Sequence, residues 1–398
     1  MTPTPLLDAL AEQRGRFSGQ KPVRLLHLHT EGPAPYLKFP EVFRSVAFFC
    51  GANDREAVNT GRAEFVPIFL SEISQLWKSG RMPLDACFVA VSPPDRHGMC
   101  SLGCSVDVSL SALHHARRVV ALMSRRVPRV HGDGVVHVSR LDTVVEDNAF
   151  APWERAPEPP SPEEQQVGRN VAQLVPDGAT LQLGIGSIPD ATLHALSGHK
   201  HLGVHSEMFS DGVLRLLEAG VIDGSLKTDE PFQTVGSFVM GSRRLYDAID
   251  DNPAVKLMRS SRVNDPAVIK THRAMHAINS CIQLDLTGQV CADSIGTRIY
   301  SGVGGQMDFM RGASLSPGGK PIMALTSRTG KGLSRIVPVL NAGAGVTTTR
   351  SHVHYVATEY GAVDVFGKTL RERAELLTSI AHPEDRAALQ EATAKRFK

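Results

Sequence analysis

The sequence predicts an α/β fold, built as two tandem α/β domains with mainly parallel, open sheets. Three observations carry that prediction. Short apolar runs alternate with helix-period segments along the whole chain. In the first half these runs are short and rich in Val, Ile, Leu and Phe, as expected of strands covered on both faces. A single Pro-rich stretch then divides the chain. Residues 151–164 read APWERAPEPPSPEE, with five prolines and five charged residues. Proline disfavours helix and strand interiors, so this segment reads as an extended connection. It separates an N-terminal domain, 1–150, from a C-terminal domain, 165–398.

Each element follows from its own run. In the N-terminal domain, 23–28, 46–49, 86–92, 118–123 and 135–137 read as strands, and 54–59, 69–77 and 110–116 as helices. In the C-terminal domain the strands are 180–183, 202–205, 283–285, 321–325 and 354–357. The helices there are 163–174, 190–195, 212–219 and 370–380.

Composition excludes several function classes. The 398 residues hold 42% hydrophobic and 21% charged side chains, enough to bury cores and too ordered in character for a disordered chain. Lys plus Arg number 43 against 41 for Asp plus Glu, a net charge of +2. That balance leaves no electrostatic footprint for nucleic acid or an anionic membrane. Neither a signal-like apolar run near the start nor a membrane-spanning run occurs, so the chain reads as soluble and cytoplasmic. Six scattered cysteines read as buried, reduced thiols rather than a disulfide framework. Cys100 and Cys104, with His97 nearby, lack a second cluster at zinc spacing.

Several stretches could carry chemistry. In TLQLGIGSIPDATL a strand runs into Gly184, Ile185 and Gly186. Ser187 and Ile188 then precede Pro189 at a helix start. Glycines allow close approach to backbone N–H groups, and a helix N-terminus favours an anion. Pro189 takes the place of the third glycine of a dinucleotide fingerprint, so that motif is absent. By itself the unit equally describes a tight strand–helix turn. Glu207, in HSEMFSDGV, follows the strand 202–205. Open α/β sheets bind ligands at that edge, where a carboxylate can be a nucleophile, a base or a solvated loop acid. In SGVGGQ, Gly302, Gly304 and Gly305 could aim N–H donors at an oxyanion or simply form a flexible loop. Glu359, after the strand 354–357, reads as structural, capping a backbone or pairing with an arginine. His27, His29 and Glu31, near the first strand, lack an assured third ligand for a metal.

Together these stretches are more specific than any one. HLHTEGPAPY, VSPPDRHGMCSLGCSVDVS, GIGSIPDATL, HSEMFSDGV, INSCIQLDLTGQV, SGVGGQMDFMRGAS and TEYGAVDVFGKTLRERA occur in order from about residue 23 onward. The chain resembles the acetyl-CoA hydrolase/transferase family, among the class I CoA-transferases, and within it the 4-hydroxybutyrate CoA-transferase-like branch. The resemblance implies an acyl-CoA:carboxylate CoA-transferase acting through a glutamyl-CoA thioester, with Glu207 as the nucleophile. It implies that Gly184, Ile185, Gly186, Ser187 and Ile188 form a CoA loop and that Asn279 and Gly302 contact CoA. Gly304 and Gly305 would be oxyanion donors. No metal or cofactor is implied, CoA and acyl-CoA being substrates. The implied partners are acyl-CoA, small carboxylic acids and further copies of the chain, in a homodimer or larger homo-oligomer. The family carries a strand and a Gly-rich turn ahead of a TPxxLLxAL-like helix. Here the sequence starts at that helix, with TPTPLLDAL, so the first strand is expected to be missing. Two other readings share the motifs: an acyl-CoA hydrolase, with water replacing the acceptor acid, and a catalytically silent CoA-binding protein.

Overall fold

The structure, a computed structural model, describes residues 1–17, 19, 21–156 and 158–397. The chain forms two compact units. The first comprises Met1–Ala156, Val235–Val263 and Ile299–Gly304, and the second is the remainder. Residues 235–263 and 299–304, read from sequence as part of the C-terminal domain, thus belong to the first unit. Strand pairing explains much of this. Val255–Leu257 runs parallel to His131–Gly132, with Lys256 opposite His131. Gly132, at φ 112°, makes the pairing feasible, because a Cβ there would overlap the Leu257 carbonyl.

The first unit opens with helix α1 (Thr4–Glu12). Strands β1 (Val23–His27), β2 (Phe43–Ala47) and β3 (Glu64–Phe65) form a parallel sheet in that order. Strands β4 (Ala86–Val91), β5 (Arg118–Met123) and β6 (Thr143–Glu146) form a second parallel sheet. Phe48, Leu70, Ile73 and Trp77 build one of its cores. The Phe48 and Trp77 rings meet edge to face at 6.0 Å, and the indole N–H donates to Ser111 Oγ.

The second unit is organised by one six-stranded sheet. Its strands are β7 (Thr180–Leu183), β8 (Gly203–Val204), β9 (Met275–Asn279), β10 (Lys320–Ala324), β11 (Tyr355–Thr358) and β12 (Gly361–Asp364). Their spatial order is β8-β7-β9-β10-β11-β12, parallel throughout except for the β11–β12 hairpin. Every residue of β7 is buried, Thr180 and Gln182 included. The order reverses between β7 and β9. Such a switch point leaves a crevice outside the carboxyl ends of the strands, where open α/β sheets receive ligands.

Helices α2 (Pro162–Ala172), α3 (Ser187–Ala195), α4 (Asp211–Glu218), α5 (Gln306–Leu315), α6 (Leu370–Ser379) and α7 (Pro383–Arg396) belong to the same unit. The Pro-rich connection is shorter than the sequence suggests. Ser161 caps α2, receiving the Glu164 N–H while the Glu164 side chain receives that of Ser161, so residues 162–164 are already helical. Residue 157, within that connection, lies outside the described residues. Gly168 lets α2 touch α3, since a Cβ would sit 2.6 Å from the Ala191 carbonyl carbon. All six cysteines are buried, as read from sequence. Among the described residues no helix is long and apolar enough to cross a membrane.

Candidate active site

Four segments of the second unit converge at the carboxyl edge of its sheet. Glu207 lies three residues beyond β8, half-buried. Its Oε2 accepts a 2.8 Å hydrogen bond from Nδ2 of Asn264. Asn264 is fully buried and immediately precedes Asp265, the cap of a short helix beginning at Pro266. The carboxylate also backs onto Gly305, the residue that opens α5. A Cβ at Gly305 would overlap both Glu207 Oε2 and Asn264 Nδ2, so glycine is the residue that admits this contact. A helix N-terminus carries partial positive charge, which favours the ionised carboxylate beside it. The position of α5 is set by Gly312, where a Cβ would overlap the Ile269 side chain.

The glycine loop after β7 is tied to the same place. Ser206, the residue before Glu207, accepts from the Leu183 N–H at 3.3 Å and donates to the Met208 carbonyl at 2.6 Å. Gly184 and Gly186 have open space where a Cβ would stand. Gly186, at φ 122° and ψ 176°, adopts backbone angles reserved for glycine. Ser187 begins α3, and its hydroxyl donates to Glu164 Oε1. Ile185 is exposed and Ile188 buried, so the loop presents backbone and one apolar side chain. Asn279 ends β9, across the switch point from Gly184. Its Nδ2 donates to Gln182 Oε1 at 2.9 Å, a pair spanning the carboxyl ends of β7 and β9.

Glu207, Gly305, the 184–188 loop and Asn279 therefore all lie on the carboxyl side of one sheet. Gly302 and Gly304 belong to the first unit. There a Cβ on Gly302 would stand 3.0 Å from the Phe48 carbonyl, and the Gly304 carbonyl accepts from Leu70 N–H at 3.0 Å. Asn264 escapes sequence reasoning, because an Asn-Asp-Pro turn carries no periodicity to mark it. Glu359 is structural as expected, although its partner is not an arginine. It accepts from the backbone N–H of Ser327 at 2.8 Å and from the Ser327 hydroxyl. His27 and His29 diverge, one bonding Ser45 Oγ at 2.9 Å and the other Glu31 Oε1 at 2.8 Å.

A carboxylate steadied by a buried amide and a helix N-terminus, at the ligand edge of an open parallel sheet, defines a class of α/β protein built to meet a small ligand there. The chain belongs to the acetyl-CoA hydrolase/transferase family: the N-terminal domain model matches residues 1–152 and the C-terminal one residues 241–393. It is 49% identical over 381 residues to the succinyl-CoA:acetate/propanoyl-CoA:succinate CoA transferase of Fasciola hepatica, covering 95% of this chain and 80% of that protein. It is 46% identical to the 4-hydroxybutyrate coenzyme A transferase of Clostridium kluyveri, covering 99% and 92% respectively. The crystal structure of 4-hydroxybutyrate CoA-transferase from Porphyromonas gingivalis superposes with a TM-score of 0.80 at 38% identity, covering 97% of each chain.

Proposed function

We propose that this protein is an acyl-CoA:carboxylate CoA-transferase for short-chain acids of the acetate, butyrate and 4-hydroxybutyrate type, with Glu207 as its covalent nucleophile. The observation that carries the reading is the Glu207 carboxylate, held by Asn264 at 2.8 Å against the N-terminus of α5. Membership of the family and the names of its near relatives support it.

The chemistry balances without an external energy source. A Glu207 oxygen attacks the thioester carbonyl, and the C–S bond breaks to give an acyl-glutamyl anhydride and CoA thiolate. The thiolate attacks the glutamyl carbonyl, expelling the donor acid as its carboxylate and leaving a glutamyl-CoA thioester. An acceptor carboxylate then attacks that thioester, and the returning thiolate takes the new acyl group and frees Glu207. Each attack builds negative charge on a carbonyl oxygen. The N–H groups of Gly304 and Gly305 are the proposed donors, and one such donor contributes roughly a factor of 10²–10³. The loop of Gly184, Ile185, Gly186, Ser187 and Ile188, with Asn279 and Gly302, would bind CoA. Energy from that remote binding is available at the thioester. We further propose a cytoplasmic homodimer or larger homo-oligomer, which sedimentation of the purified protein would test.

Acyl-CoA incubated with and without a second carboxylate separates the readings. Transfer predicts a new acyl-CoA that forms only when the second acid is present. Thiol release at the same rate without acid would instead identify a hydrolase, and inertness in both arms a silent binder.

A further inference from the structure

Residues 299–304 belong to the first unit and run into the glycines of SGVGGQ. Their path is held by side chains of the short helix Arg55–Asn59. The Asn59 amide answers both backbone groups of Ile299. Its Nδ2 donates to the Ile299 carbonyl at 2.8 Å, and its Oδ1 accepts the Ile299 N–H at 2.9 Å. A primary amide carries the donor and acceptor of a peptide group, so Asn59 stands in for one rung of a β-ladder. Its Nδ2 also donates to the Arg55 carbonyl at 2.8 Å, which fixes the amide on the helix. One turn back, the Arg55 Nε–H donates to the Tyr300 carbonyl at 2.6 Å, and the guanidinium lies 3.9 Å from the centroid of the Tyr300 ring. These bonds join residues 240 and 245 positions apart, so no local turn requires them. Further on, Gly302 is buried against the Phe48 carbonyl, and the Gly304 carbonyl accepts from Leu70 N–H. Tyr300 is 42% exposed and Asn59 half-buried, so the clamp adds little to a core. It fixes where the chain runs.

We propose that Asn59 and Arg55 are positioning residues for the reaction, holding residues 299–304 so that the N–H groups of Gly304 and Gly305 stay aimed at the developing oxyanion. The inference rests on the transferase reading, in which those two glycines are the donors. Both residues act through the glycines and take no part in bond making. Gly304, at φ 54°, turns through the left-handed region. That bend leaves the direction of the loop to whatever holds its two ends. The Leu70 N–H holds the far end, and the Asn59–Arg55 pair holds the near one. An oxyanion donor contributes roughly a factor of 10²–10³ only from hydrogen-bond distance of the charge. A misplacement of about 1 Å can cost about 10²-fold. Hydrogen bonds at a partly exposed surface contribute modestly to folding, so the pair bears more on rate than on stability.

Asn59→Ala and Arg55→Ala test it, with Thr60→Ala as the control and two readouts. Thr60 closes the same helix, its hydroxyl donating to the Glu56 carbonyl at 2.8 Å. In both clamp variants kcat should fall about 10- to 100-fold, while KM for acyl-CoA changes less than about three-fold. Hydrogen exchange read by mass spectrometry should quicken about five-fold or more at 299–305, with the melting temperature near the parent's. Thr60→Ala should match the parent in both readouts. Should one clamp variant fail to fold, the other decides; loss of the fold in both would assign the pair to stability and overturn the proposal. Folded variants that keep the parental kcat, or the parental exchange at 299–305, would overturn it. So would an equal loss in Thr60→Ala, which would assign the effect to the helix. An inactive parent is a different failure: it would sink the transferase reading, and this inference with it.

Discussion

Glu207 owes its setting to two neighbouring residues. Asn264 fixes one carboxylate oxygen, and Gly305 leaves the room for it. Asn264→Ala should therefore lower kcat by roughly 10²-fold with little change in KM for acyl-CoA, since it loosens the reacting group rather than the ligand. Steady-state kinetics on the folded variant would check this, and an unchanged kcat would remove Asn264 from the account. A second prediction lies in the first unit. Asp54 is buried, and burial pushes its carboxyl up to about 6. His27, 3.9 Å away, is pushed down to about 4 by burial and then by His29. Below the ordinary aspartate value of 3.8 both folded and unfolded states hold the Asp54 proton, and burial costs nothing. As pH rises to about 6, the unfolded state ionises first and stability falls. Above that pH the cost is complete, on the order of 3 kcal/mol. His27 acts in the opposite sense, its unfolded form binding a proton below 6.5 that the folded form refuses until about 4. Asp54→Asn removes the first arm alone. Urea melts should show it more stable than the parent above pH 6, with the advantage shrinking toward pH 4.

At the scale of elements, the β7–loop–α3 unit does most to place the site. Gly186→Ala meets no atom within 4 Å, so its cost is backbone strain at φ 122°, about 1–3 kcal/mol. The loop should shift, and KM for acyl-CoA should rise. Normal kinetics in that variant would reduce the loop to a turn. The Ser161 cap sets the start of α2, and with it the Glu164 carboxylate that holds Ser187. Ser161→Ala should cost about 1 kcal/mol in thermal or denaturant unfolding. The same unit was legible in the sequence, because an apolar run, two glycines and a proline in the first helical turn all agree. Strand β9 was not legible. Its run Met275–Asn279 is interrupted by His276, which sits fully buried at the centre of the sheet. Its two ring nitrogens face the carbonyls of Ala274 and Leu174, at 2.8 and 3.1 Å, and the N–H of the neutral ring donates to one of them. Local pattern reads a histidine as a surface residue, and only tertiary partners make it a core one.

Over the whole molecule, the parallel α/β architecture was written in the spacing of its apolar runs, and several boundaries match to the residue, 118–123 and 180–183 among them. The assignment of 235–263 to the first unit was hidden, since it depends on long-range pairing such as Lys256 with His131 that no local signal encodes. The candidate site divides the same way. Glu207 and the glycine loop announce themselves by following strands, whereas Asn264 acquires meaning only once the chain has folded. The central claim is that Glu207 becomes covalently bound to CoA. The direct measurement is incubation with acyl-CoA in the absence of acceptor acid, borohydride reduction, and peptide mass spectrometry. The account predicts conversion of the Glu207 side chain to an alcohol at that residue alone, with Glu207→Gln binding acyl-CoA but neither forming the adduct nor turning over. An unmodified Glu207, together with full transfer activity in Glu207→Ala, would contradict it.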